Sequence, residues 1–145
     1  MLTIAAFPAI GQQSEATIQA EKAQVCSEVR ALVQRALGSL RINDFDSYLS
    51  CYWKSPDFLY IDARETTRGW TEAREKILRA AVTPERRGKS NADQVQINYA
   101  GTDLGMVLIS WTADSPSPFN RGVTMLACSR FPDGWRIIFE NTEIY

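Results

Sequence analysis

QVQINYAGTDLGMVLISWTA, residues 94–113, followed by GVTMLACSRFPDGWRIIFENT, residues 122–142, reads as four successive strands. Gln94 to Ala100 turns at Gly101-Thr102-Asp103 into Met106 to Ala113. A long Pro-containing loop, Asp114 to Arg121, leads to Gly122 through Phe131. Pro132-Asp133-Gly134 is then a hairpin signal, and Trp135 through Thr142 is the last strand. The first strand sets Gln94, Gln96 and Asn98 against Val95, Ile97 and Tyr99, as a half-exposed antiparallel strand should. The next three are apolar on both faces. Val107, Ile109 and Trp111 oppose Met106 and Leu108; Val123, Met125 and Ala127 oppose Leu126 and Cys128; Trp135, Ile137 and Phe139 oppose Ile138. Helices can cover one face only, so the pattern predicts a homodimer packed sheet to sheet.

Upstream the period changes to that of helices. Ser14 caps a helix that runs to about Arg41, with Ile18, Val25, Val29, Leu32, Val33, Ala36, Leu37 and Leu40 in one stripe. Asn43 or Asp44 caps a short second helix, with Phe45, Leu49, Tyr52 and Trp53 on one face, and Ser55-Pro56-Asp57 stops it. Phe58 to Asp62 is a short strand, and Ala63 to Arg68 is a turn and a second one. Thr71 is the expected cap of a third helix, which buries Ala73, Ile77 and Ala80 or Ala81 and ends at Thr83-Pro84. Residues 85–91 read as a polar loop. Its Arg86-Arg87-Gly88-Lys89 cluster has no aromatic stacking partners, so it reads as solvated rather than as a phosphate site. Three helices on an antiparallel sheet make an α+β domain over residues 14–145.

Composition narrows the chemistry. The chain has 145 residues, enough for one full core, and 45% of them are apolar. A net charge of -1 gives no field to steer nucleic acid or an acidic membrane toward it. No apolar run approaches the ~20 residues that a membrane span needs. There is no histidine, which removes Ser-His-Asp and Cys-His catalysis and the commonest zinc ligand. Cys26, Cys51 and Cys128 are odd in number and widely spaced, so they read as small buried apolar residues. Residues 1–13 form a separate segment. Met1 to Phe7 resembles the stub of a secretory h-region, with Ala9-Ile10-Gly11 as a small-residue cleavage site. The first positive charge is Lys22, however, and the missing basic n-region favours the cytoplasm over export.

The Asn43-Asp44-Phe45-Asp46 break, the short helix ending Cys51-Tyr52-Trp53, and Ser55-Pro56-Asp57-Phe58 are similar to the opening of the nuclear-transport-factor-2-like (SnoaL-like) superfamily. Arg68-Gly69 before Thr71 to Ile77 resembles its third-helix entry, and Gly134-Trp135-Arg136-Ile137 resembles the start of its last strand. The resemblance implies a strongly curved sheet wrapped around the long helix, a cone with an internal pocket. It also implies a choice among uses: binding a small, mostly apolar molecule, cofactor-free lyase or isomerase chemistry, or association through the sheet alone. Laid over the superfamily's ketosteroid isomerases, the base position falls at Asp62, but the two oxyanion donors fall near Ala36 and Ala127. Neither side chain can donate, which argues against that isomerisation.

Two carboxylates are candidates for a catalytic role. Asp62 could face inward with Phe58 and Tyr60 and act as a base, or could bond the following turn. Glu140 shares a face with Arg136 and Ile138 by simple alternation, and Arg130 in the neighbouring strand is its candidate cross-strand partner, in the pocket or in the sheet. Tyr52, Trp53, Phe58, Tyr60 and Trp111 are candidates for lining the pocket, against the ordinary alternative of core packing. No Gly-rich loop cradles phosphate and no carboxylate cluster has metal-ligand spacing, so neither a cofactor nor a metal is expected.

Overall fold

Local capping sets the helices. The computed structural model describes residues 14–62, 65–82, 90–114, 118 and 120–145. The segment 1–13, the turn at 63–64 and the basic cluster at 86–89 lie outside the described residues. Helix α1, Glu15–Arg41, starts at Ser14, whose hydroxyl accepts from the Thr17 N–H at 3.3 Å. Asn43 takes a left-handed φ of 58°, which asparagine tolerates, and Asp44 then caps α2, Phe45–Ser50, by accepting from the Ser47 N–H at 3.1 Å. Helix α3 runs Trp70–Val82, one residue ahead of the expected Thr71 cap. Gly69 fixes that start: its φ of 95° suits glycine, and its N–H donates to the Phe58 carbonyl at 2.7 Å.

The strands are β1 Leu59–Asp62, β2 Glu65–Arg68, β3 Ser90–Gly101, β4 Leu104–Ala113, β5 Arg121–Phe131 and β6 Gly134–Ile144. They form one sheet in the order β2-β1-β6-β5-β4-β3. All neighbours are antiparallel except β1 and β6, which run parallel with Tyr60 opposite Glu140. The inner face carries Val107, Ile109, Leu126, Cys128 and Ile137 against Val25, Val29, Leu32 and Val33 of α1. The helix approaches closely at Gly105, where an added Cβ would stand 2.8 Å from a Val29 methyl.

One irregularity decides what faces inward. Ala127 pairs with Phe139 but Cys128 pairs with Ile137, so Ile138 is an extra residue in β6. A single inserted residue inverts the alternation beyond it. Trp135 and Ile137 are buried before the bulge, and Glu140 and Thr142 are buried after it. The sequence expectation that Glu140 shares the face of Arg136 and Ile138 is therefore corrected: it shares the inner face with Ile137. Outside, Met106, Leu108, Val123 and Phe139 stay half-buried and Met125 is 40% exposed.

Candidate functional site

Between the helices and the inner face of the sheet lies a cavity of about 130 Å³. Its walls are mainly apolar, with Val33, Ala36, Leu37, Ile109, Leu126 and Ile137 contributing. Tyr48, Tyr52, Tyr60, Trp111, Thr124, Thr142 and Glu140 bring polar atoms to it. Arg41, exposed in the last turn of α1, supplies a cation to the lining.

The polar atoms are connected. Tyr52 Oη donates to Glu140 Oε2 at 2.6 Å, and Tyr48 Oη lies 2.8 Å from Tyr52 Oη. On the other side Thr142 Oγ1 donates to Glu140 Oε1 at 3.3 Å. Thr124 Oγ1 lies 2.9 Å from Thr142 Oγ1 and accepts from Trp111 Nε1 at 3.1 Å. An indole nitrogen only donates, and each hydroxyl has one hydrogen to give. With Glu140 as a carboxylate every hydrogen has a seat: Trp111 to Thr124 to Thr142 to Glu140, and Tyr48 to Tyr52 to Glu140. Burial, and then the charge of Glu140, push the Tyr52 and Tyr48 phenols well above their ordinary pKa, so both stay protonated donors.

Each part of this network has a local cause. Gly122, opposite Trp111, leaves room for the indole: a Cβ there would stand 2.5 Å from Trp111 Cζ2. Thr124 and Thr142 are directly paired in β5 and β6. Tyr48 and Tyr52 are four residues apart at the end of α2, which puts them in contact with their rings edge to face at 5.4 Å.

Of the sequence candidates, Tyr52, Tyr60, Trp111 and Glu140 line the cavity. The others lie elsewhere. Phe58 is wholly buried behind Tyr52, packed edge-on against it and against Trp70. Trp53 follows Tyr52 at an isolated bridge to Ile137 and projects the other way, stacking on Phe131 at 5.8 Å. Arg130 does not partner Glu140 as envisaged. Its strand position is opposite Trp135, over whose ring it lies at 5.1 Å, and it pairs with Glu28 of α1 at 2.9 Å. Asp62 sits outside the lining and accepts the Glu65 N–H at 3.0 Å, bonding the turn between β1 and β2. Tyr48, Thr124, Thr142 and Arg41 were missed. The four-residue spacing to Tyr52 was a usable signal for Tyr48; the bulge hid Thr142. Among the described residues no group of three or more His, Cys, Asp or Glu is placed to hold a metal ion.

Chemically, the site is a buried carboxylate, fed by two lines of donors, on the wall of an apolar chamber. It can accept a hydrogen bond or a proton from a guest. A family model described as AtzH-like matches residues 18–143. Among solved structures, a cystatin-like fold protein from Burkholderia xenovorans superposes with a TM-score of 0.71 at 22% identity, over 83% of this chain and 92% of that one. A DUF3225-family protein of unknown function from Pectobacterium atrosepticum gives 0.71 at 22% identity, over 86% of this chain and 94% of that one. An NTF2-like protein of unknown function from Shewanella oneidensis gives 0.68 at 19%, over 81% and 97%. These likenesses bear out the fold and the resemblance to the nuclear-transport-factor-2-like superfamily. No curated protein matches in sequence.

Proposed function

The chain belongs to the AtzH-like family, and from that premise we propose that it binds one small, mostly apolar molecule in the cavity beside Glu140 and works as a homodimer. The observation that carries the reading is a mainly apolar cavity with a buried carboxylate on its wall. A cavity of about 130 Å³ is close to the size that admits benzene. It is too small for the polycyclic ligands that larger pockets of ~300 Å³ and more accept. The half-buried apolar outer face around Met106, Leu108 and Met125 supports the dimer. A thermal-shift series on the wild-type protein tests the ligand reading. Benzene-sized molecules at about 100 times their dissociation constant add roughly 2.7 kcal/mol, and steroids add nothing. Stabilisation by steroids alone, or by no small molecule, contradicts it. Light scattering that gives a monomer mass at micromolar concentration contradicts the dimer.

The network favours a second reading, a cofactor-free lyase or isomerase. Glu140 would be the base, in place of Asp62, with the protonated Tyr52 phenol beside it. Hydrogen exchange at carbon in a bound guest, followed by NMR in D2O, separates the two readings. Exchange abolished by Glu140→Gln and kept by Asp62→Asn supports catalysis. No exchange supports binding alone.

A further inference from the structure

Strand β3 ends the sheet, and its outer edge carries none of the usual guards. The strand is 12 residues long, and among the described residues no strand pairs with the side away from β4. Gln94, Gln96 and Asn98 are exposed, and Val95, Ile97 and Tyr99 stay half-buried although they pack against the core. Edge strands are normally kept from pairing by short length, proline, lysine or a bulge. Residues 94–100 contain no proline and no charged side chain. The register shifts fall at Ala92/Gln94 and Tyr99/Gly101, so the stretch between them is regular. An uncharged, proline-free run of alternating apolar and amide residues is a template for another strand. The edge is also held in place. Tyr99 donates its hydroxyl to Glu21 of α1, and Thr112 of β4 donates to Asp93 at 3.1 Å. An edge already ordered loses little freedom on pairing.

The edge fits a copy of itself. In an antiparallel pair about a two-fold axis at Gln96, Gln96 stands opposite its own copy, Val95 opposite Ile97, and Gln94 opposite Asn98. Amides meet amides on the exposed face, apolar side chains meet on the inner one, and no like charges are opposed. We infer that the β3 edge is a second self-association surface, which joins the sheets of two copies edge to edge with Gln96 at the axis. It is separate from the cavity and from the outer-face contact around Met125.

Sedimentation of the full chain over a concentration series tests it. The wild-type mass should rise above its micromolar value as the concentration approaches millimolar. Gln96→Lys and Gln96→Glu each set like charges opposite one another at the axis. Each should weaken this step by about fivefold, with the unfolding midpoint unchanged because the side chain is exposed. An equimolar mixture of the two variants should restore it, since opposite charges then meet. Amides 94–98 should exchange more slowly with D2O in the associated protein. A wild-type mass that stays constant across the series would overturn the inference. So would a rise that persists undiminished in both variants, or one that the mixture does not recover. Slowed exchange confined to β5 would move the contact to the outer face and overturn it too. A monomer mass at micromolar concentration removes the outer-face dimer alone, because the rise is measured from that starting value.

Discussion

Replacing Tyr52 by phenylalanine should be far more damaging than one oxygen suggests. The ring is 3% exposed, stacked on Trp70 at 5.6 Å and edge-on to Tyr48 and Phe58 at 5.4 and 5.8 Å. Tyr52→Phe keeps those contacts, so its cost is polar. It removes the 2.6 Å donor to Glu140, a bond to a charged acceptor worth about 1.5–3 kcal/mol. It also leaves the Tyr48 hydroxyl, 2.8 Å away, without its acceptor, which adds roughly 1 kcal/mol or more. The sum is about 2.5–4 kcal/mol, or roughly 10 °C in melting temperature for a chain of this size. Tyr48→Phe removes only the outer, neutral bond and should cost about 1 kcal/mol. Urea unfolding of both variants with an unchanged m-value gives the comparison. In a Glu140→Gln background the Tyr52→Phe cost should shrink, because the charged acceptor is gone. Equal costs for Tyr52→Phe and Tyr48→Phe would refute the claim that the donors converge on an ionised Glu140.

The protein should weaken steeply in alkali. Burial pushes the Cys128 thiol from 9.0 up to about 12, and the phenols of Tyr52 and Tyr48 stand well above 10.0. Acids with raised folded values stabilise fully below their unfolded pKa and lose that contribution as pH rises toward the folded value. Stability should therefore fall progressively as pH rises from 9 to 11; a flat urea midpoint across that window would contradict it. Gly122→Ala would put a Cβ 2.3 Å from the Glu143 carbonyl oxygen and 2.5 Å from Trp111 Cζ2. It should cost about 1–3 kcal/mol and shift the Trp111 indole N–H resonance, since the ring must leave Thr124. Met125→Glu places a charge on the 40% exposed centre of the outer face and should halve the mass seen by light scattering without lowering the unfolding midpoint of the domain.

The parts of the fold that rest on local chemistry were legible. Ser14 and Asp44 cap helices because their side chains reach an N–H three residues on, and the Pro132-Asp133-Gly134 signal makes its hairpin. The apolar stripe of α1 predicted the buried Val25, Val29, Leu32, Val33 and Ala36. The site was harder to read, because one residue changes it. Arg136-Ile137-Ile138-Phe139 is apolar at successive positions, so alternation cannot show which isoleucine is the extra one. Without the bulge Glu140 and Thr142 read as outward-facing. The parallel pairing of β1 with β6, which brings Tyr60 opposite Glu140, joins segments about 80 residues apart and leaves no local mark. Trp53 and Phe58 are pocket candidates by aromatic character alone, with core packing as the alternative, and Phe58 takes that alternative. Their actual positions follow from the Tyr52–Ile137 bridge, which turns Tyr52 inward and Trp53 outward.

Methyl-resolved NMR tests the cavity most directly. On titration with phenol, methyl signals of Val33, Ile77, Ile109, Leu126 and Ile137 should shift together and saturate with one dissociation constant. Those of Leu108 and Met125 on the outer face should stay in place. Lining methyls that do not move at saturating phenol, or shifts confined to the outer face, would contradict a ligand site beside Glu140.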